Sequence, residues 1–396
     1  MLVRRRAVLV VCAGGLIALG SILLLMAWVT HPQAERDGLL PGLTAPQLRA
    51  GQGEPLNDDA RTVSTRERAD AIARAQVWWA PATSIGRALL GADRRAPAMI
   101  ECRFRFSDLG GTTSKFDCVL PSGKELRVKY GPGSEVPAEV AATRLLTALG
   151  FGTDTVTLVE RVRCYGCPNE PFVTAKVVGA TRTQPLYERV ADEESYEEFE
   201  WAGIEQKFAA RPIESESQKG WAFFELDSVD PSKGGAPRAH VDALRLLAVF
   251  LAHWDNKAEN QRFVCVSETW PEGMPCPEPF LILQDLGSTF GPKRVDLDAW
   301  KASKIWEDRR ACKLSMEELP YGGGTFGPTR VSERGRRFLT KLLEQLSDAQ
   351  LADLFSGARF DKPRSPLKGT TSIQEWVRVF KSRVQTISEG PPCPDV

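Results

Sequence analysis

LRLLAVFLAHWDNKAENQRFVCV, Leu244 to Val266, followed after an insert by PFLILQDLGSTFG, Pro279 to Gly291, is the stretch whose reading decides the fold. The run before His253 is apolar all round, which predicts a buried helix. It ends at His253-Trp254-Asp255-Asn256-Lys257-Ala258-Glu259-Asn260. The second run, Phe280 to Leu283, is short and bounded by Pro279 and Gly287, which predicts a buried strand. Each rigid element therefore delivers a carboxylate at its exit, Asp255 and Asp285. Such a pair suits Mg²⁺, which takes one or two carboxylates and completes its shell with phosphate oxygens.

HWDNKAEN resembles the protein-kinase catalytic loop H-R-D-x-x-x-x-N, and QDLG resembles the D-F-G metal motif. The matching positions are His253, Asp255, Asn260 and Asp285, with Gly287 closing the second motif and Lys257 matching the lysine common in serine/threonine kinases. Trp254 stands where the motif has Arg, Leu286 stands where it has Phe, and no A-P-E follows. The resemblance is thus to an atypical, membrane-anchored bacterial-type branch, nearer the secreted and lipid-kinase-like families than the signalling kinases. It implies ATP and Mg²⁺ as cofactors. Asp255 would orient or deprotonate an acceptor hydroxyl, Lys257 would neutralise the transferred group, and Asn260 and Asp285 would hold metal. Against it stands a plain buried helix that ends in a polar turn.

Upstream, Ile100 to Lys129 alternates in the manner of strands and predicts a three-stranded meander. Its first turn, Gly110-Gly111-Thr112-Thr113-Ser114-Lys115, offers backbone N–H groups, hydroxyls and a lysine of the kind that cradle phosphates, though a plain hairpin turn has the same composition. Pro137 opens a helix that Gly150 stops. Glu139 shares a face with Ala142 and Leu146. A strand lysine followed by a helix glutamate is similar to the kinase Lys–Glu pair, which maps Lys129 to phosphate binding and Glu139 to its partner. Trp221 to Asp227 reads as an apolar strand that turns polar. In the kinase layout it joins the lobes, so backbone atoms near Glu225 and Asp227 are the expected adenine contacts. The acidic run Asp192 to Glu200 reads as a solvated helix face.

Charge is balanced, 51 basic against 51 acidic residues in 396, and no basic patch interleaved with aromatics asks for nucleic acid. Arg4-Arg5-Arg6 precede an uncharged stretch, Ala7 to Val29, that would span ~35 Å as a helix at ~1.5 Å per residue. This predicts an uncleaved signal-anchor that places the body outside the cytoplasm, at the periplasm or cell surface. A cleaved signal peptide is the alternative. Apart from Cys12, the eight cysteines suit disulfides; Cys102 with Cys118, Cys164 with Cys167, Cys265 with Cys276, and Cys312 with Cys393 is one plausible set among the 105 pairings that eight cysteines allow. Ser64 and Glu67 form a capping box for a helix to about Trp79. Helices are also expected over 332–346, 347–355 and 372–384.

The expected fold is α+β and two-lobed, kinase-like, behind one N-terminal transmembrane helix. It comprises an anchor (1–30), a linker (31–63), a helical extension (64–100), an N-lobe of small antiparallel sheet plus helix (101–226) and a mainly helical C-lobe (227–396). The expected function is phosphotransfer from nucleotide to a protein, lipid or small-molecule hydroxyl. An inactive nucleotide-binding scaffold at the cell surface is the rival, and a thiol-redox role for Cys164 and Cys167 a third reading.

Overall fold

The structure is a computed structural model and describes residues 60–80, 98–131, 135–267, 269–317, 319, 323–362 and 371–394. Along the chain these form β1 (Arg61–Thr62), α1 (Thr65–Ala73), β2 (Met99–Arg105), β3 (Lys115–Val119), β4 (Glu125–Lys129), α2 (Val136–Leu149) and β5 (Thr155–Tyr165). Next come α3 (Pro171–Thr181), α4 (Gln184–Val190), β6 (Tyr196–Gln206), β7 (Arg211–Glu214), a 3₁₀ turn (Phe223–Ser228), α5 (Arg238–Leu251), β8 (Gln261–Cys265) and β9 (Pro279–Leu283). The remainder is α6 (Leu297–Ala302), β10 (Trp306–Asp308), β11 (Lys313–Leu314), α7 (Glu333–Leu343), α8 (Asp348–Gly357) and α9 (Ile373–Ser388). The chain is therefore α+β. It divides into a smaller unit, within 97–130 and 159–202, and a larger one, within 48–96, 131–158 and 203–396.

In the smaller unit β2, β3 and β4 make the expected antiparallel meander, with Phe104 facing Cys118 and Lys115 facing Lys129. The sheet is not open, however. β2 also pairs parallel with β5, from Met99 against Arg161 to Arg103 against Tyr165, and the strands close a barrel in the order β2-β3-β4-β6-β5. Closure removes the unpaired edges that an open meander would expose. The acidic run is corrected from helix to strand: Tyr196 onward is β6. Its charges are paired across strands, Glu198 with both Arg161 and Arg163 on β5, which offsets the low strand propensity of glutamate.

The larger unit is built around α5, buried from Val241 to Leu251. Four strands pair in the order β1-β7-β8-β9. α1 starts at the Ser64–Glu67 capping box as expected but ends at Ala73, well before Trp79. The reason is a competing partner. Gln76 donates its N–H to Pro279 O and accepts from Leu281 N, both at 2.9 Å, so the chain extends along the free edge of β9. The expected strand over Trp221–Asp227 is likewise corrected to the 3₁₀ turn, whose Glu225 carboxylate accepts from Ala222 N at 2.7 Å. Ser332, Ser347 and Ser372 cap α7, α8 and α9.

Among the described residues four disulfides form. In the smaller unit they are Cys102–Cys118 and Cys164–Cys167, at Cα separations of 5.7 and 5.5 Å. In the larger unit they are Cys265–Cys276 and Cys312–Cys393, at 5.8 and 5.5 Å. These lie in the range a disulfide requires.

The membrane expectation is corrected. Among the described residues no helix is long and apolar enough to cross a membrane, so the transmembrane part of the fold, the single-pass placement and the membrane partner are withdrawn. Ala7 to Val29, on which they rested, lies outside the described residues, as do most of the linker and 81–97 of the expected helical extension.

Candidate functional site

α5 ends at Leu251 and is capped by Ala252, whose φ of 54° turns the backbone out of the helix. His253 then enters the interior, only 1% exposed. Its Nε2 accepts from Gln261 Nε2 at 2.9 Å. Burial pushes its pKa down to about 4, the negative charges of Asp255 and Asp285 pulling the other way, so the imidazole is neutral at neutral pH. Asn256 is fully buried and fixes the loop. Its Nδ2 donates to the carbonyls of His253, Trp254 and Leu319, and its Oδ1 accepts from Thr325 N at 2.8 Å and Phe326 N at 3.1 Å. With Asn256 spent on the backbone, Asp255 projects instead. Its Oδ2 lies 3.5 Å from Lys257 Nζ, and its buried Oδ1 accepts no hydrogen bond.

The β8–β9 hairpin brings the second carboxylate in. Gln261 faces Leu283 and Arg262 faces Ile282, so the residue before β8 and those after β9 leave the sheet at one end. Gln284 N donates to Asn260 O at 3.1 Å across that end. Asn260 is buried, and its Nδ2 donates to Asp255 O at 2.9 Å, which turns Oδ1 away from that bond. Asp285 follows at φ 52°, a left-handed conformation that a non-glycine residue holds only where its surroundings fix it. The set Asp255, Lys257, Asn260 and Asp285, picked out by sequence, is therefore carried by one loop and the end of one hairpin.

Glu135 was not read from the sequence. It stands at the N-cap of α2, one turn before Glu139, and carboxylate oxygens of Glu135, Glu139 and Asp285 all lie within 4.8 Å of one another. Gly287 permits this approach, because a Cβ there would sit 2.2 Å from Glu135 Cβ. The signal available was the i,i+4 spacing of two glutamates at a helix start, which the helix dipole explains equally well. Three carboxylate groups offer oxygen donors only, the chemistry that Mg²⁺ selects.

The other expected residues are distributed as follows. Glu139 is buried in α2 of the larger unit. Lys129 ends β4, buried, in the smaller unit, opposite Lys115 on β3. The Gly110–Lys115 turn belongs to the smaller unit too, with Gly111 at φ 72° and its carbonyl accepting from Lys176 Nζ at 2.7 Å. Glu225 is engaged by Arg68, Gln218 and Ala222 N, and Asp227 by Arg245 at 2.6 Å, so both carboxylates serve local structure.

No family model matches the chain, and no curated protein matches it in sequence. Among solved structures it is similar to the Helicobacter pylori proinflammatory kinase CtkA. The identity is 10% and the TM-score 0.39, over 73% of this chain and 96% of that one.

Proposed function

We propose that the protein is an ATP- and Mg²⁺-dependent phosphotransferase with a hydroxyl acceptor. The observation that carries this reading is the delivery of Asp255, Asn260 and Asp285 to one end of the β8–β9 hairpin, with Asp255 presenting an unengaged carboxylate oxygen. Phosphoryl transfer asks the protein for positioning and charge neutralisation more than for covalent chemistry. Asn260 Oδ1 and Asp285 would hold the metal, with Glu135 and Glu139 close enough to Asp285 to share or tune it. Bound Mg²⁺ would supply charge neutralisation at the phosphate oxygens. Asp255 Oδ1 would accept the acceptor hydroxyl's hydrogen bond and orient its attack, and Lys257, 3.5 Å from Oδ2, would stabilise charge on the transferred group. In the smaller unit Lys129 and the Gly110–Lys115 turn are proposed to bind nucleotide phosphates.

The test is thermal stabilisation by ATP with and without Mg²⁺, run beside ATP consumption over a panel of hydroxyl acceptors. Asp285→Ala should abolish the Mg²⁺-dependent stabilisation. Asp255→Asn should keep it and lower turnover by about 10²- to 10⁴-fold. Lys129→Ala should weaken nucleotide binding irrespective of metal. Stabilisation without turnover on any acceptor would leave a nucleotide-binding scaffold. No stabilisation by any nucleotide would leave His253–Asn260 as a structural turn.

A further inference from the structure

Asp255 and Lys257 flank Asn256, so whatever holds Asn256 sets where both side chains leave the loop. Two neighbouring carbonyls are fastened there by side chains rather than by a regular element. Asp255 O accepts from Asn260 Nδ2 at 2.9 Å, and Asn256 O accepts from Thr325 Oγ1 at 2.7 Å. Thr325 lies 69 residues further along the chain, outside the motifs that the sequence resembles. Its own N–H closes the contact from the other side, donating to Asn256 Oδ1 at 2.8 Å, and Phe326 N donates to the same oxygen at 3.1 Å. The hydroxyl is used twice. Besides donating to Asn256 O, it accepts from Phe223 N at 3.0 Å, at the start of the 3₁₀ turn. One hydroxyl thus ties together the loop, the 3₁₀ turn and the segment 323–327, all within the larger unit. Phe223 and Phe326 are buried beside it with ring centroids 4.8 Å apart, and the Phe223 ring lies 6.2 Å from that of His253. Gly323, Gly324 and Gly327 flank Thr325-Phe326, so the backbone there has little stiffness of its own and these bonds decide its position.

We infer that Thr325 is a positioning residue for Asp255. It sets the direction in which the Asp255 carboxylate leaves the loop, and through it the step in which an acceptor hydroxyl attacks; it does not set nucleotide binding. The division follows from the anchoring. The proposed metal donors Asn260 and Asp285 stand at the ends of β8 and β9, joined by the bond from Gln284 N to Asn260 O, a tie that does not pass through Thr325. A hydroxyl is needed at this place because it must donate to one backbone group and accept from another, and valine has the shape without either capacity. The inference rests on the phosphotransferase reading of Asp255.

The experiment is turnover of the full chain, read as ATP consumption in Mg²⁺ with water, glycerol and a serine-containing peptide as acceptors, beside nucleotide-induced thermal stabilisation. Thr325→Val should lower kcat ~10- to 100-fold and leave the Kd for Mg²⁺–ATP within ~2-fold, since a small misplacement at a reacting group costs rate and not ground-state binding. Thr325→Ser should bring kcat back to within ~3-fold of the wild type. In the Asp255→Asn background, Thr325→Val should cost at most ~2-fold more, because a residue that acts through Asp255 has nothing left to position. A threonine with a merely structural role would lower the unfolding midpoint and leave kcat per folded molecule unchanged. Full kcat in the valine variant, an equal loss of nucleotide affinity, or additive losses in the double variant would each overturn the inference. If the valine variant does not fold, Thr325→Cys, nearly the same size but a weak donor and acceptor, carries the same comparison. Amide exchange in the wild type should also show the Phe223 N–H protected in step with the end of α5; exchange at open-loop rates would overturn the inference without any variant. Absence of turnover on all three acceptors in the wild type would remove the phosphotransferase reading and this inference with it, whereas wild-type turnover with full kcat in Thr325→Val removes the inference alone.

Discussion

His253 is a neutral imidazole buried between two acidic neighbours, and its burial has a measurable consequence. Its folded pKa is about 4 against 6.5 for an unhindered histidine. The unfolded chain therefore takes up the proton first as pH falls. The stability this group permits is fully present above pH 6.5 and is lost between pH 6.5 and 4, up to about 3 kcal/mol at ~1.4 kcal/mol per pH unit. Urea midpoints over this window should drop more steeply for the wild type than for His253→Gln. Parallel curves would show that another group sets the acid limit. At this scale Asp255 and Asp285 were legible because they stand at the exits of two buried runs, whereas Lys257 and Asn260 were picked out only through the resemblance to the kinase catalytic loop. Glu135 was not, since only the close approach of Gly287 gives it a role. The strand reading of Trp221–Asp227 was wrong, because the capping of Ala222 N by Glu225 and the ion pairs with Arg68 and Arg245 leave no trace in an apolar run.

Among the elements, α5 matters most, since its C-cap Ala252 leads directly to His253. Its C-terminal carbonyls are gathered by Arg383 of α9, which is 5% exposed and pairs with no carboxylate among the described residues. The guanidinium donates to Val249 O and Phe250 O on α5 and to Trp300 O and Ser303 O at the end of α6. Trp300 Nε1 adds a bond to Phe250 O at 2.8 Å. Burial lowers the pKa of Arg383 to about 9, which still leaves it charged at neutral pH, and the negative end of the helix dipole supplies compensation. Arg383→Met would strand these carbonyls. It should cost about 3 kcal/mol or more of unfolding free energy, read from denaturant curves, and on the proposed phosphotransferase reading lower turnover as well, because the loop bearing Asp255 loses its base. Arg383→Lys should recover only part, having no planar fork to span two helix ends. Unchanged stability in the methionine variant would mean that water replaces the guanidinium. The capped helices were readable because serine caps act locally. α1 was over-extended because the pairing of Gln76 with β9 is a long-range contact.

At the scale of the molecule, the four disulfides differ chiefly in the chain they enclose. Cys312 and Cys393 are 81 residues apart, against 16 for Cys102–Cys118, 11 for Cys265–Cys276 and 3 for Cys164–Cys167. On the chain-entropy account the longest loop restrains the unfolded state most, roughly 4–5 kcal/mol against about 3 for loops near 15 residues. Replacing Cys312 and Cys393 together by serine should therefore lower the unfolding free energy most among the four pairs. A larger loss from Cys102–Cys118 would show that packing in the folded barrel, rather than chain entropy, decides the ranking. The three short-range pairings were legible from proximity along the chain, whereas Cys312–Cys393, 81 residues apart, was only the pair left over. The barrel was not, because the parallel β2–β5 pairing joins strands separated by a helix and two other strands.

The Cys265–Cys276 bridge closes the insert that separates Asn260 from Asp285, and Cys265 is also the residue of β8 that faces Pro279 at the start of β9. On the proposed reading the hairpin is thus a chelator whose backbone is cyclised at the far end. Cutting that cycle removes no donor atom, so preference among divalent cations should stay as it was. What should change is the chelate effect: with the two arms freer to part, the second donor adds less to the first. Reduction of this one bridge, or Cys265→Ser with Cys276→Ser, should shift the Mg²⁺ midpoint for nucleotide binding upward while leaving the order of Mg²⁺, Mn²⁺ and Ca²⁺ intact. A changed order with an unchanged midpoint would place the cation elsewhere than on Asn260 and Asp285.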